Sequence, residues 1–85
     1  MIVSSARQLG TAIRARRKET RLTASHTAVL ARVSRRLLVE VEGGKRPNVG
    51  FRAVLRILEV LGLDLEVKVR GLPGTRAPNV RRQDV

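Results

Sequence analysis

Cysteine is absent from this chain of 85 residues, which excludes disulfides and thiolate metal sites and fits a reducing compartment. Tryptophan and tyrosine are absent as well, and phenylalanine occurs once. Readers of single-stranded DNA or of RNA stack bases on aromatic platforms, so that partner class is disfavoured. His26 is the sole histidine, and no serine is obviously placed for activation by a base. Neither a metal cluster nor an activated nucleophile can be assembled from the sequence, so no enzyme, no metal and no cofactor is expected. His26 itself reads as a surface residue. No apolar run approaches the roughly 20 residues needed to cross a bilayer, and the opening MIVSSARQLG lacks a basic-then-apolar signal layout. The expectation is a soluble, cytoplasmic protein without a membrane partner.

Negative charge is scarce too, with 7 Asp and Glu against 18 Lys and Arg, a net charge of +11. Residues 1–46 hold 11 basic residues and 3 Glu, residues 47–69 hold 3 of each sign, and residues 70–85 hold 4 Arg and 1 Asp. A single basic run is ordinarily a solvated face. Two basic zones around a balanced centre favour a polyanion partner instead. A chain this short buries only about 60% of its unfolded surface and is marginal alone, which points to help from a second subunit.

What is present is helical periodicity. Leu9, Ala12 and Ile13 recur at i, i+3 and i+4 with most of the basic residues elsewhere, which predicts a helix over 6–19 capped by Ser5. Thr23 is the cap of a short second helix over 24–31, where Ala28 and Leu30, with Val33 after them, supply apolar positions. Ser34 caps a third over 35–42, in which Leu37, Leu38 and Val41 share a side and Gly43-Gly44 forms the stop. After Pro47, Asn48 is the expected cap of a fourth helix whose Phe51, Val54, Leu55, Leu58 and Leu61 repeat until Gly62.

From Leu63 the period changes to two: Leu63, Leu65, Val67 and Val69 alternate with Asp64, Glu66 and Lys68, the pattern of a strand with one apolar face. The chain offers this strand no partner. An antiparallel copy about a two-fold axis would cover it. Centring that axis on Val67 pairs Glu66 with Lys68 and Asp64 with Arg70, whereas centring it on Glu66 opposes like charges, so the Val67 register is expected. Residues 71–85 mix Gly, Pro and Arg without periodicity and read as a flexible basic tail behind a domain at 1–70. The fold expected is mainly α, four to five short helices with a C-terminal strand paired across a dimer.

Two short helices joined by a three-residue turn, the second beginning Ser-Arg-Arg, form the layout of a helix-turn-helix. The stretch LTASHTAVLARVSRRLLVEVEGGK followed by VLRILEVLGLDLEV resembles the XRE family of helix-turn-helix regulators, and within it the HipB-like antitoxins, over about residues 6–69. That resemblance implies an internal ion pair between Arg17 and Glu42. The chain departs from the family in three places. Ala24 stands where the family has a phosphate-touching Gln, Thr27 replaces a core Leu, and Arg32 occupies a turn position usually held by Gly, where a positive φ costs another residue roughly 1 kcal/mol.

The first turn of a recognition helix reaches base edges, so Arg35 and Arg36 are the expected base readers, each able to fork onto the two acceptors of guanine. One turn on, Val39 can meet a thymine methyl. Glu40 can accept from a cytosine amino group or simply pair with Arg36 four residues back. Thr23, Arg32, Ser34, Lys45 and Arg46 are expected at backbone phosphates, which set register without reading sequence; for Ser34 the helix cap alone is sufficient reason. Leu63, Leu65, Glu66, Val67, Lys68 and Val69 are the dimerisation residues. The function these features imply is a homodimeric repressor on an inverted-repeat operator in double-stranded DNA. By resemblance it is also an antitoxin that binds a HipA-like kinase toxin. The alternatives are a stand-alone regulator and a nonspecific nucleoid-associated protein.

Overall fold

The computed structural model describes residues 2–69 and Gly71, and within them the chain forms α1 (Ala6–Glu19), α2 (Ala24–Ala31), α3 (Arg35–Glu42) and α4 (Phe51–Val60). The first three helices start on the expected hydroxyls. Ser5, Thr23 and Ser34 accept from the backbone N–H of Gln8, His26 and Leu37 respectively, each satisfying a donor for which the helix has no partner. At α4 the expected Asn48 cap is not used. Arg46 to Val49 close a turn of their own, with the Val49 N–H donating to the Arg46 carbonyl at 3.3 Å. Asn48 is thereby spent inside that turn, and Gly50 becomes the N-cap without a side-chain bond.

All four helices end alike, in a left-handed residue followed by two bonds that fold back onto the last turn. At α3 these run from Lys45 N–H to Glu40 O and from Gly44 N–H to Val41 O, and at α4 from Leu63 to Leu58 and Gly62 to Glu59. Gly44 and Gly62 take positive φ at no steric cost. Arg32, at φ 60°, holds the same position after α2, as the family's Gly implied, and Arg21, at φ 62°, holds it after α1. Each arginine carries a left-handed penalty of roughly 1 kcal/mol.

The core lies where the helices meet, filled by Ile13, Leu38, Ile57 and Leu61 with Ala28, Ala31 and Val41 around them. α3 packs on α1 and α2, and α2 packs also on α4. Gly10 makes the first of these contacts close. A Cβ there would overlap the Val41 carbonyl oxygen and stand 2.7 Å from that of Glu42, so α1 crosses the end of α3 backbone to backbone.

The expected core positions at Phe51, Leu55 and Leu30 are corrected. Phe51 is 65% exposed, and Leu55 and Leu30 are exposed as well. The stripe that α4 buries is Val54, Ile57, Leu58 and Leu61, turned away from the one the spacing suggested, because α4 lies chiefly against α2 and fills only a narrow face. The strand expected at 63–69 is not formed among the described residues. Leu63 packs against the core, but Leu65, Val67 and Val69 are exposed, Val67 by 92%. A strand needs a ladder partner, and the described residues of one copy supply none. The basic tail expected at 71–85 lies outside the described residues, Gly71 excepted.

Thr27 is fully buried in α2, and its hydroxyl has no hydrogen-bond partner among the described residues. Leaving such a group unsatisfied costs about 1–3 kcal/mol. Valine keeps the branched shape without the hydroxyl, so Thr27→Val should stabilise the domain by about 1 kcal/mol and raise its melting temperature by roughly 4–8 °C. A thermal scan showing a lower midpoint would mean that the hydroxyl is in fact satisfied.

Candidate nucleic-acid interface

The turn at 32–34 joins α2 to α3, with Val33 packed on the core and Arg32 held left-handed. α3 buries Leu38 and Val41 and half-buries Leu37. Its solvent face therefore carries Arg35, Arg36 and Val39, all exposed, with Glu40 half-buried at its margin. These residues form two stripes at i and i+4.

The first stripe is Arg35 and Val39. It lines an open groove of about 330 Å³ together with Arg14, Arg17, Ala24 and Glu42. Sequence reasoning did not single out Arg14. The usable signal was the Arg17–Glu42 pair: one helical turn before Arg17, Arg14 is brought alongside α3 by the same contact. Among the described residues, neither Arg14 nor Arg35 takes part in an ion pair.

The second stripe is Arg36 and Glu40. Arg36 Nε donates to Glu40 Oε2 at 3.2 Å, although the Arg36 side chain is 86% exposed. On its other oxygen Glu40 meets Arg46, whose Nε is 3.3 Å from Oε1. That second contact is one of charge alone, since the buried Arg46 Nε has no partner in hydrogen-bond alignment among the described residues. Glu40 thus bridges a residue expected at the bases and one expected at the phosphates. Lys45, exposed beside them, contributes its backbone N–H to the end of α3.

Thr23 and Ser34 are exposed, and each hydroxyl accepts its capping N–H at 3.0 Å. A hydroxyl that accepts one bond retains its proton for another acceptor, so capping and a phosphate contact are compatible. His26 is exposed at the start of α2.

Several arginines face inward. Arg17 and Glu42 form a two-bond pair, Nε to Oε2 at 2.6 Å and Nη2 to Oε1 at 3.0 Å, and Arg17 Nη1 also donates to the Leu22 carbonyl at 2.9 Å. The hydrogen bonds it donates to Glu42, and then the charge of that carboxylate, hold the Arg17 guanidinium above its usual pKa against the opposing effect of burial. Arg16 Nε donates to the Leu61 carbonyl at 2.8 Å, and Arg56 Nε to that of Ala31 at 2.9 Å. Both cations sit at helix C-termini, where orphan carbonyls and the dipole favour positive charge. Three arginines therefore fasten α1 to α3, α1 to α4 and α4 to α2.

No described helix is long and apolar enough to cross a membrane. Among the described residues no group of three or more His, Asp or Glu could hold a metal ion. Residues 8–70 match a protein family described as a helix-turn-helix domain. No curated protein matches the chain.

Proposed function

The chain belongs to the helix-turn-helix domain family, and from that premise we propose that this DNA-binding regulator is a sequence-specific repressor. In this reading it acts in the cytoplasm as a homodimer on an inverted repeat in double-stranded DNA. The observation that carries the proposal is the face of α3: its apolar side is buried, and Arg35, Arg36 and Val39 are left exposed on one surface. Arg35 and Arg36 read base edges, and Val39 meets a thymine methyl. Thr23, Arg32, Ser34, Lys45 and Arg46 contact phosphates. Selection of bound duplexes from a random pool tests this directly. A pool that emerges without a preferred sequence leaves the alternative, a nonspecific nucleoid-associated protein.

Readers and anchors differ in what their loss does. Arg36→Ala should cost about 1–3 kcal/mol and relax preference at one base pair, while Lys45→Ala should weaken all sequences alike and lower the salt slope by about 1. Competition assays on operator variants check the distinction, and equal loss across all sequences for both variants would refute it.

The homodimer is proposed to form through residues 63–69 in the Val67-centred register. It is supported by Leu65, Val67 and Val69, which one copy leaves exposed in a row of alternate residues. Cross-strand charge pairs contribute roughly 0.2–1 kcal/mol each, and each pair occurs twice about the axis. Glu66→Lys should therefore weaken dimerisation by opposing Lys68, and adding Lys68→Glu should restore it. Sedimentation separates the outcomes: a monomeric wild type removes the dimer, and a double variant no better than the single removes the register.

The finer reading of the resemblance adds an antitoxin role with a HipA-like kinase toxin as second partner. What fits a partner besides DNA is apolar surface outside α3: Val29 and Leu30 on α2, and Phe51 and Leu55 one turn apart on α4. A kinase gene beside this one, and co-purification of its product with the chain, would support the antitoxin reading. Their absence leaves a stand-alone regulator.

A further inference from the structure

We infer that Glu40 is a specificity filter, which holds Arg36 and opposes the release of Arg46 to a phosphate unless a matching base sequence offers its carboxylate new donors. This rests on the proposed DNA-binding face. Each carboxylate oxygen of Glu40 faces one guanidinium, Oε2 that of Arg36 at 3.2 Å and Oε1 that of Arg46 at 3.3 Å. The carboxylate is only partly exposed, at 30% of its side chain. Its own backbone carbonyl accepts the Lys45 N–H at 2.9 Å, so the 43–46 loop and the α3 face are tied through this one residue.

On a random duplex, phosphates draw Arg46 away from Glu40. The carboxylate is then left close to the phosphate backbone with one arginine in place of two, and nothing on the DNA compensates it. A duplex that presents a guanine to Arg36 and an amino donor, from cytosine or adenine, to Glu40 removes this penalty, because N–H donors replace the guanidiniums. The filter works by making the wrong sequence worse, which is how specificity is gained without added affinity.

The test compares wild type with Glu40→Gln on the duplex selected from the random pool and on random duplex. An exposed ion pair restrains its arginine by a factor of about 1.4–5, so release of both should raise random-DNA affinity by roughly 2–30-fold. The selected duplex should gain less or lose, so the ratio of the two affinities falls. The salt slope on random DNA should also steepen, since Arg46 is freed for a full phosphate contact. In an Arg46→Ala background the gain should shrink. Glu19→Gln removes the same charge from α1 and should move both affinities together.

An unchanged or larger ratio for Glu40→Gln overturns the proposal, whether both affinities rise through charge alone or both fall through lost packing. If that variant does not fold, the wild-type arginine Nε–H NMR signals decide. The Arg46 signal should shift on random DNA while that of Arg36 stays, and both should shift on the selected duplex. Equal shifts of both on random DNA overturn it as well. A wild type that selects no sequence at all overturns the proposed function instead, so the two failures are distinguishable.

Discussion

Affinity for duplex DNA should fall by about 10³–10⁵-fold between 50 and 200 mM salt, the loss expected when a dimer neutralises about 6–10 phosphates. The sequence gives each copy 18 basic residues, which alone would allow a far steeper slope. The structure narrows the count. Arg16 and Arg56 donate to helix-end carbonyls, and Arg17 is spent on Glu42 and Leu22. Beside the reading face stand Arg14, Lys45 and the partly restrained Arg46, three contacts per copy once base readers are set apart, while Arg32 lines a separate groove with Leu30, Arg56 and Glu59. Arg14→Ala should lower the slope by about 1 per copy, because its loss releases one fewer counterion. A filter-binding or fluorescence titration over salt measures both quantities. An affinity that barely changes with salt would remove the polyanion reading, and an Arg14 variant with an unchanged slope would remove that residue from the interface.

Helix positions were legible because their signals are local. Ser5, Thr23 and Ser34 announce starts through hydroxyls that only the next turn can use, and Gly43-Gly44 and Gly62 announce stops. The solvent face of α3 followed from where Leu38 and Val41 had to point. What stayed hidden depends on distant neighbours. Glycine in mid-helix reads as a weakness worth roughly 1 kcal/mol against alanine. Only the crossing of α1 over Val41 and Glu42 reveals why Gly10 is required. The apolar residues of α4 outnumber what one neighbouring helix can cover, so spacing could not decide between Phe51 and Ile57. Arginine is the least legible residue here. The same side chain caps α4 from Arg16, pairs with Glu42 from Arg17 and lines the groove from Arg14, all within one turn of α1. The resemblance revealed the second of these uses because it carried knowledge of a contact 25 residues away in sequence. The segment 63–69 is not paired as a strand in the single chain for a related reason, since the pattern calls for a partner from a second copy.

Glu42→Ala should cost about 3–5 kcal/mol of folding stability, the usual penalty for leaving one partner of a buried ion pair alone. The Glu42 side chain is 6% exposed and that of Arg17 13%, with two aligned bonds between them, so the discount that applies to surface pairs does not apply here. The loss falls on a domain with few reserves. At roughly 0.05–0.15 kcal/mol per residue its whole stability is of the order of the loss itself. Glu42→Gln should recover only part, because an amide offers Arg17 one acceptor oxygen and no charge. Removing both charges should do better: Arg17→Met with Glu42→Leu leaves no buried ion, and such apolar replacements are often neutral or stabilising. The remaining deficit in that double variant is the Leu22 carbonyl, which loses the bond from Arg17 Nη1 and costs about 1–3 kcal/mol if no water reaches it. The arginine side of the pair adds no pH dependence in the working range. Its pKa is raised on folding, so its contribution is complete below the ordinary arginine value and is lost only as pH climbs past the raised one. Urea unfolding followed by circular dichroism orders the four proteins. Glu42→Ala within 1 kcal/mol of wild type would show that α1 and α3 are held by Ile13, Leu38 and the Gly10 crossing without need of the pair.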